Sequence, residues 1–154
     1  INDETAENFN RGYKFEVFKE GIKKLQDRGI EVVVHSIFGL PGETKEDMLK
    51  TIDYIAHSGA QGIKFHLLHL MKYTKMAEQY YNGEFELLSE EDYIDLICEG
   101  ISMIPEDMVV HRLTGDAPRA TLIGPMWSLK KWEVLNAIDK ALVDRDIWQG
   151  KNFK

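Results

Sequence analysis

Apolar positions recur at spacings of three and four over Lys14–Arg28, where Phe15, Phe18, Ile22 and Leu25 share one face of a predicted amphipathic helix. Gly29 follows, in the position where a left-handed residue costs least. The pattern then changes period. Glu31–Ile37 is short and β-branched, which predicts a buried strand. The run Gly39-Leu40-Pro41-Gly42-Glu43 predicts a sharp loop. Thr44, with Asp47 three residues on, predicts the capped start of a second helix. Met48, Leu49, Ile52, Ile55 and Ala56 form its core face, and Gly59 stops it. Gln61–Leu68 is a second predicted strand, with Ile63, Phe65 and Leu67 on one face. Strand, helix and strand within about 30 residues is the size of one βαβ unit.

Beyond this unit, Thr74–Tyr81 predicts a short helix and Asn82-Gly83 a turn. Ser89 with Asp92 predicts the start of a long helix that turns Tyr93, Ile97, Ile101 and Ile104 inward and closes at Pro105. Met108–Leu113 is a third predicted strand, and residues 114–127 read as a long loop. Ser128–Asp144 predicts a last helix, packed through Leu129, Trp132, Leu135, Ile138 and Leu142, and Asp146–Lys154 a loosely held tail. Helices alternating with strands predict an α/β fold with about three parallel strands and flanking helices. So narrow a sheet, preceded by a helix, reads as part of something longer.

Composition narrows the chemistry. The 154 residues are 44% hydrophobic and 29% charged, which is globular rather than disordered. The single cysteine, Cys98, excludes an internal disulfide, a Cys-only zinc site and a self-contained iron–sulfur site. It also predicts a reducing, cytoplasmic setting. No apolar run is long enough to span a membrane, so no membrane partner is expected. The net charge of −7 disfavours nucleic-acid binding through charge alone. The charge is uneven, however. Residues 84–99 hold seven acids and no Lys or Arg, while residues 111–131 hold Arg112, Arg119, Lys130 and Lys131 against Asp116 alone. The acidic run predicts a solvated helix face, and the basic one a modest anion site.

Polar residues interrupt the strands. His35 lies in the first strand, Lys64 and His66 share a face of the second, and His111 and Arg112 alternate in the third. Strands covered on both sides are near-continuously hydrophobic, so a polar face implies a polar cavity of the kind found in a barrel mouth. His66 and His69, three apart on an extended strand, are expected to point to opposite faces and not to share a metal ion. Cys98, mid-helix among acids, is not a reactive thiol. The Gly39–Thr44 loop sits at the C-terminal end of a strand, where α/β proteins bind ligands, but it has neither the P-loop ending nor a dinucleotide fingerprint. An independent, non-catalytic α/β binding or oligomerisation module with a nucleotide-binding loop is the alternative reading of the same residues.

Taken together, Asn10-Arg11-Gly12-Tyr13, Val34–Thr44, Gly62–His69, His111-Arg112-Leu113 and Gly115-Asp116-Ala117-Pro118-Arg119 resemble the C-terminal half of a radical S-adenosylmethionine (SAM) protein. The resemblance is closest to an uncharacterised bacterial subfamily related to oxygen-independent coproporphyrinogen oxidase and the Elongator catalytic subunit. It implies a partial (β/α) barrel, with residues 1–72 as the C-terminal half of the core barrel and 73–154 as a mostly helical extension with one strand. The chain would begin after the fourth barrel strand. The implied cofactors are SAM and a [4Fe–4S] cluster. The cluster's Cys-x3-Cys-x2-Cys loop is missing here, so this chain would not ligate the cluster and would be inactive alone. For SAM, the resemblance implies carboxylate pairing by Arg11, a ribose contact from His35, and adenine contacts from Phe38, Gly39, Leu40, His69 and Leu70. Lys64, His66, Arg112 and Arg119 are expected to line a substrate pocket for a carboxylate or phosphate. Implied partners are the missing N-terminal half, a second copy through an exposed sheet edge, and tRNA, by likeness to enzymes of the wobble uridine. Relatives tend to read Lys-Gly-Thr/Ser where this chain has Lys72-Tyr73-Thr74.

Overall fold

A computed structural model describes residues 1–154. Its helices are α1 (Asp3–Asn8), α2 (Phe15–Gln26), α3 (Lys45–His57), α4 (Lys75–Tyr81), α5 (Glu90–Met103) and α6 (Lys131–Asp144). Its strands are β1 (Val33–Phe38), β2 (Gly62–Leu67), β3 (Leu70–Met71), β4 (Val109–Arg112) and β5 (Leu122–Gly124). β1, β2 and β4 form one parallel sheet in the order β1-β2-β4, which is the expected three-stranded α/β architecture. Helices cover one face of it. Val34 and Phe38 of β1 and Ile63, Phe65 and Leu67 of β2 pack with Ile52 and Ile55 of α3, Tyr93, Leu96 and Ile97 of α5, and Val134 and Ile138 of α6. Twenty buried residues form this one continuous core.

The predicted caps are present. The Thr44 hydroxyl accepts from the Asp47 amide at 3.2 Å, and the Asp47 carboxylate accepts from the Thr44 amide at 3.0 Å. The Ser89 hydroxyl accepts from the Asp92 amide at 3.0 Å. Two glycines of the Gly39–Glu43 turn are left-handed, with φ of 80° at Gly39 and 86° at Gly42.

Several elements depart from the sequence reading. α1 was not anticipated; its signal is Asn2, whose side chain accepts from Glu4 N and Thr5 N, followed by two acids. The stretch 114–127 is not a plain loop. It contains β5, which pairs antiparallel with β3 just beyond β2, and the start of a 3-10 turn at Met126–Leu129. Two- and three-residue strands carry no readable period. α6 begins at Lys131 rather than Ser128. Trp132, expected in the core, is 76% exposed. It lies two residues before buried Val134, about 200° around the helix.

The tail is also not loose. Gly150 N donates to Ile101 O at 3.3 Å and Asn152 N to Ser102 O at 2.8 Å. The Gln149 side-chain amide donates to Pro105 O and Met108 O, each at 2.7 Å. The last carbonyls of α5 have no partner within the helix, and the tail supplies one. No helix is long and apolar enough to cross a membrane.

Candidate functional site

The uncovered face of the sheet carries the polar strand residues. Exposed and buried positions alternate strictly along β1, which puts Val33, His35 and Ile37 on this face. In register, His35 lies beside Lys64, Ile37 beside His66, and Lys64 beside Arg112. Three strands thus place His35, Lys64, His66 and Arg112 side by side. The pairing of β2 with β4 slips between Ile63 and Lys64. That slip overturns the expected alternation of His111 and Arg112. A Cβ at Gly62 would lie 2.8 Å from the His111 ring, so His111 covers Gly62 on the same open face that carries Arg112.

A second expectation fails for a similar reason. β2 ends at Leu67, and the chain turns before His69. The His66 and His69 rings therefore meet edge to face at 5.0 Å rather than pointing apart, and His35 lies 5.2 Å from His66 on its other side. These three imidazoles form a continuous row. No group of three His, Cys, Asp or Glu side chains is placed to hold a metal ion. His66 Nδ1 faces Leu67 O at 2.7 Å, so it carries the proton and Nε2 is left as an acceptor. Gly115 closes over that ring; a Cβ there would stand 2.1 Å from Nε2. His69 Nε2 is buried with no hydrogen-bond partner, as is Thr114 Oγ1.

The electrostatics follow from this crowding. Burial, then His66, pushes the His69 pKa down to about 4. Burial lowers His35 too, helped by the neighbouring His66, Lys64 and Arg112. Asp116 is held below the usual carboxylate range, first by its hydrogen bond from Lys131, which lies 2.9 Å away. Arg112 reaches the same carboxylate at 4.0 Å, and Lys130 pairs with Glu133. Of the basic stretch, only Arg119 lacks an acidic partner.

A cleft of about 440 Å³ runs along the free edge of β1. That volume suits a nucleoside-sized ligand. Arg11, His35, Phe38 and Leu40 line it, with Phe15 and Phe18 of α2, Ile55 of α3, and Glu43. Burial raises the Glu43 pKa, against a hydrogen bond from Thr5. Four of the seven residues expected to touch SAM thus share one cavity, which has a largely apolar wall with Arg11 and Glu43 among its polar residues.

The other three lie apart. A Cβ at Gly39 would meet Leu88 at 2.7 Å, so its close neighbour is a protein side chain. Leu70 is 1% exposed and pairs with Gly124. His69 belongs to the imidazole row. Arg11 also has partners: its guanidinium donates to Asp3 Oδ1 at 3.2 Å and to Tyr13 O at 3.0 Å, and it sits 4.9 Å over the Tyr13 ring. The start of α3 is a poor anion site, since Glu46 and Asp47 already occupy its first turn. An iron–sulfur cluster does not fit these residues. The only thiol, Cys98, is wholly buried in α5 and its pKa is raised by that burial.

The chain is similar to known proteins in sequence and in fold. The chain is 47% identical over all 154 residues to the uncharacterised protein YtqA of Bacillus subtilis, covering 48% of it. It is 32% identical over 146 residues to protein YhcC of Escherichia coli K12, covering 47% of that protein and 95% of this chain. The chain therefore spans about half the length of these curated relatives. A tRNA uridine(34) acetyltransferase of Methanocaldococcus jannaschii is 25% identical over 126 residues, 80% of this chain and 23% of the enzyme. In fold, the archaeal Elp3 of Methanocaldococcus infernus, lacking residues 1–46, superposes with a TM-score of 0.84 over 97% of this chain and 35% of its own, at 20% identity. Residues 1–55 match the radical SAM superfamily and residues 60–144 the radical SAM C-terminal domain, and the chain belongs to that family.

Proposed function

We propose that this chain forms one wall of a SAM site in a radical SAM enzyme and part of the adjoining substrate pocket. The observation that carries this reading is the cleft on the β1 edge, which gathers Arg11, His35, Phe38 and Leu40 around a nucleoside-sized space. Arg11 pairs with the SAM carboxylate, exchanging Asp3 for a second carboxylate in a charge-assisted fork. His35 reaches the ribose. Leu40 gives the adenine an apolar wall and Phe38, its ring in the core, a backbone edge, while Gly39, His69 and Leu70 stand outside this cleft. When bound, SAM and its cluster supply the radical chemistry. The residues of this chain bind and orient.

The open face next to the cleft is the substrate side. Lys64 and Arg112, with Arg119 at the rim, present cationic donors to a carboxylate or phosphate, and His66, its Nδ1–H held by Leu67 O, adds an imidazole wall. The [4Fe–4S] cluster belongs to a segment outside these residues. That segment docks along β1, whose outer edge has no strand partner. A second copy of the chain is the other occupant this edge admits. Residues 1–72 then act as barrel and 73–154 as an extension. The substrate we favour is tRNA, supported by the likeness to a tRNA uridine(34) acetyltransferase. A reduced, buried Cys98 suits the cytoplasm.

The test is 5′-deoxyadenosine formation from SAM under reducing, anaerobic conditions. A protein extended to the full length of the relatives, with its iron and sulfide restored, forms the product, and Arg11→Ala slows it at least about tenfold, the worth of one charged hydrogen bond. The 154-residue chain alone forms none. Absence of product from the extended protein overturns the proposal.

A further inference from the structure

We propose that Tyr73 is a stacking post for an unpaired base of single-stranded RNA, mounted at the mouth of the sheet. This inference rests on the tRNA reading above and deepens it by naming how a strand is held. Tyr73 is 96% exposed, the highest of any large hydrophobic residue in the chain. Its backbone is left-handed, with φ of 66°. The other non-glycine residues in that region are Asn10 and Asp146, types that tolerate it; tyrosine does not, and glycine would be free of the strain. A bulky ring therefore stands where it is costly for the backbone and where it is almost wholly exposed.

The mount is rigid. Lys72 N donates to Thr121 O at 2.8 Å, and the Lys72 ammonium donates to Ala120 O at 3.0 Å. The Thr74 hydroxyl donates to Met71 O at 2.9 Å and accepts from Ala77 N at 3.1 Å, capping α4. The ring is thus presented from a fixed base at little further entropy cost on binding.

Its neighbours supply the charge. Of nineteen Lys and Arg residues, twelve lie within 4.0 Å of a carboxylate. Lys72 and Lys75, close to Tyr73 in the chain, and Arg119, next to the Ala120 and Thr121 carbonyls that Lys72 bonds, are among the seven that do not. In a chain of net charge −7, three such cations on the segment that carries Tyr73 and the strand segment bonded to it form a local exception. Aromatic stacking between backbone-neutralising cations is how single strands are held without sequence readout.

The test is anisotropy of a fluorescein-labelled, uridine-rich single-stranded RNA titrated with the chain. Tyr73→Gly weakens binding about tenfold, the size of one lost base stack, while Tyr73→Phe and Tyr73→Trp bind as the parent does. Replacing Lys72, Lys75 and Arg119 together by Ala lowers the slope of log affinity against log salt by about 2. Tyr73→Gly keeps the parent's thermal midpoint or raises it, so lost binding is not lost fold. SAM binding, followed in the Tyr73 variants, is unchanged and reports separately on the site along β1. Unaltered RNA affinity in Tyr73→Gly overturns the inference. So does an absence of RNA binding by the parent chain, or a preference for a protein ligand at this ring.

Discussion

The two faces of the same three strands contrast sharply. Toward the helices, Ile63, Phe65 and Leu67 are at most 1% exposed and belong to one core. Away from them, Lys64 and His66, set between those residues in the chain, share an open surface with His35 and Arg112. One face is fixed by volume and dispersion, so its residues are interchangeable with others of equal size. The other face holds cations and imidazoles, and there burial, then neighbouring charge, lowers the pKa of His35 and His69. A strand satisfies both demands because successive side chains point to opposite sides.

Substitutions on either side sharpen this contrast. Phe65→Ala is expected to cost about 3–5 kcal/mol in urea unfolding, from lost burial plus the cavity left among Ile52, Phe38 and Tyr93. Gly115→Ala drives a methyl into the His66 ring and is expected to cost about 1–3 kcal/mol, with a displaced His66 resonance in NMR spectra as the accompanying sign.

Acid weakens the polar face. Between pH 6.5 and about 4, the unfolded chain binds a proton that folded His69 refuses. Stability therefore falls as pH falls through that window, by about 1–2 kcal/mol after solvent screening, and His35 acts in the same direction. His57 does the opposite: carbonyls of Lys154 and Asp53 raise its pKa, so its contribution is present at low pH and fades as pH rises through the folded value. In His69→Gln, the acid slope of the urea midpoint should shrink.

The smallest effect is expected from Lys64→Met. Stability stays within about 0.5 kcal/mol, as for a surface change, while the His35 titration moves up because one nearby positive charge is gone. A large stability loss there would erase the distinction between the faces.

Much of this architecture is legible in the chain. The βαβ unit, its Thr44 and Ser89 caps and the apolar stripe of β2 follow from period and spacing over long stretches. The misses have local physical causes. β3 and β5 are too short to show a period. The slip between Ile63 and Lys64 reverses the parity on which facing arguments rest, and places His111 beside Arg112. The turn after Leu67 likewise brings His69 to His66. The tail is held by free carbonyls of a helix about fifty residues earlier, a need no local pattern reveals. In the candidate site, the residues on β1 and its loop were readable as a group. The joining of Arg11 to them depends on how the N-terminal segment folds back.

The central claim is that the tip of β1 and the segment around Arg11 form a wall for SAM. Titrating SAM into the uniformly 15N-labelled chain and following its amide resonances tests this most directly. The account predicts weak binding, near or above about millimolar for half a site, with shifts concentrated at Arg11, His35 and Phe38–Leu40 and absent from α6 and the tail. Shifts confined to α6 or the tail, or none at Phe38–Leu40 at saturating SAM, would contradict it.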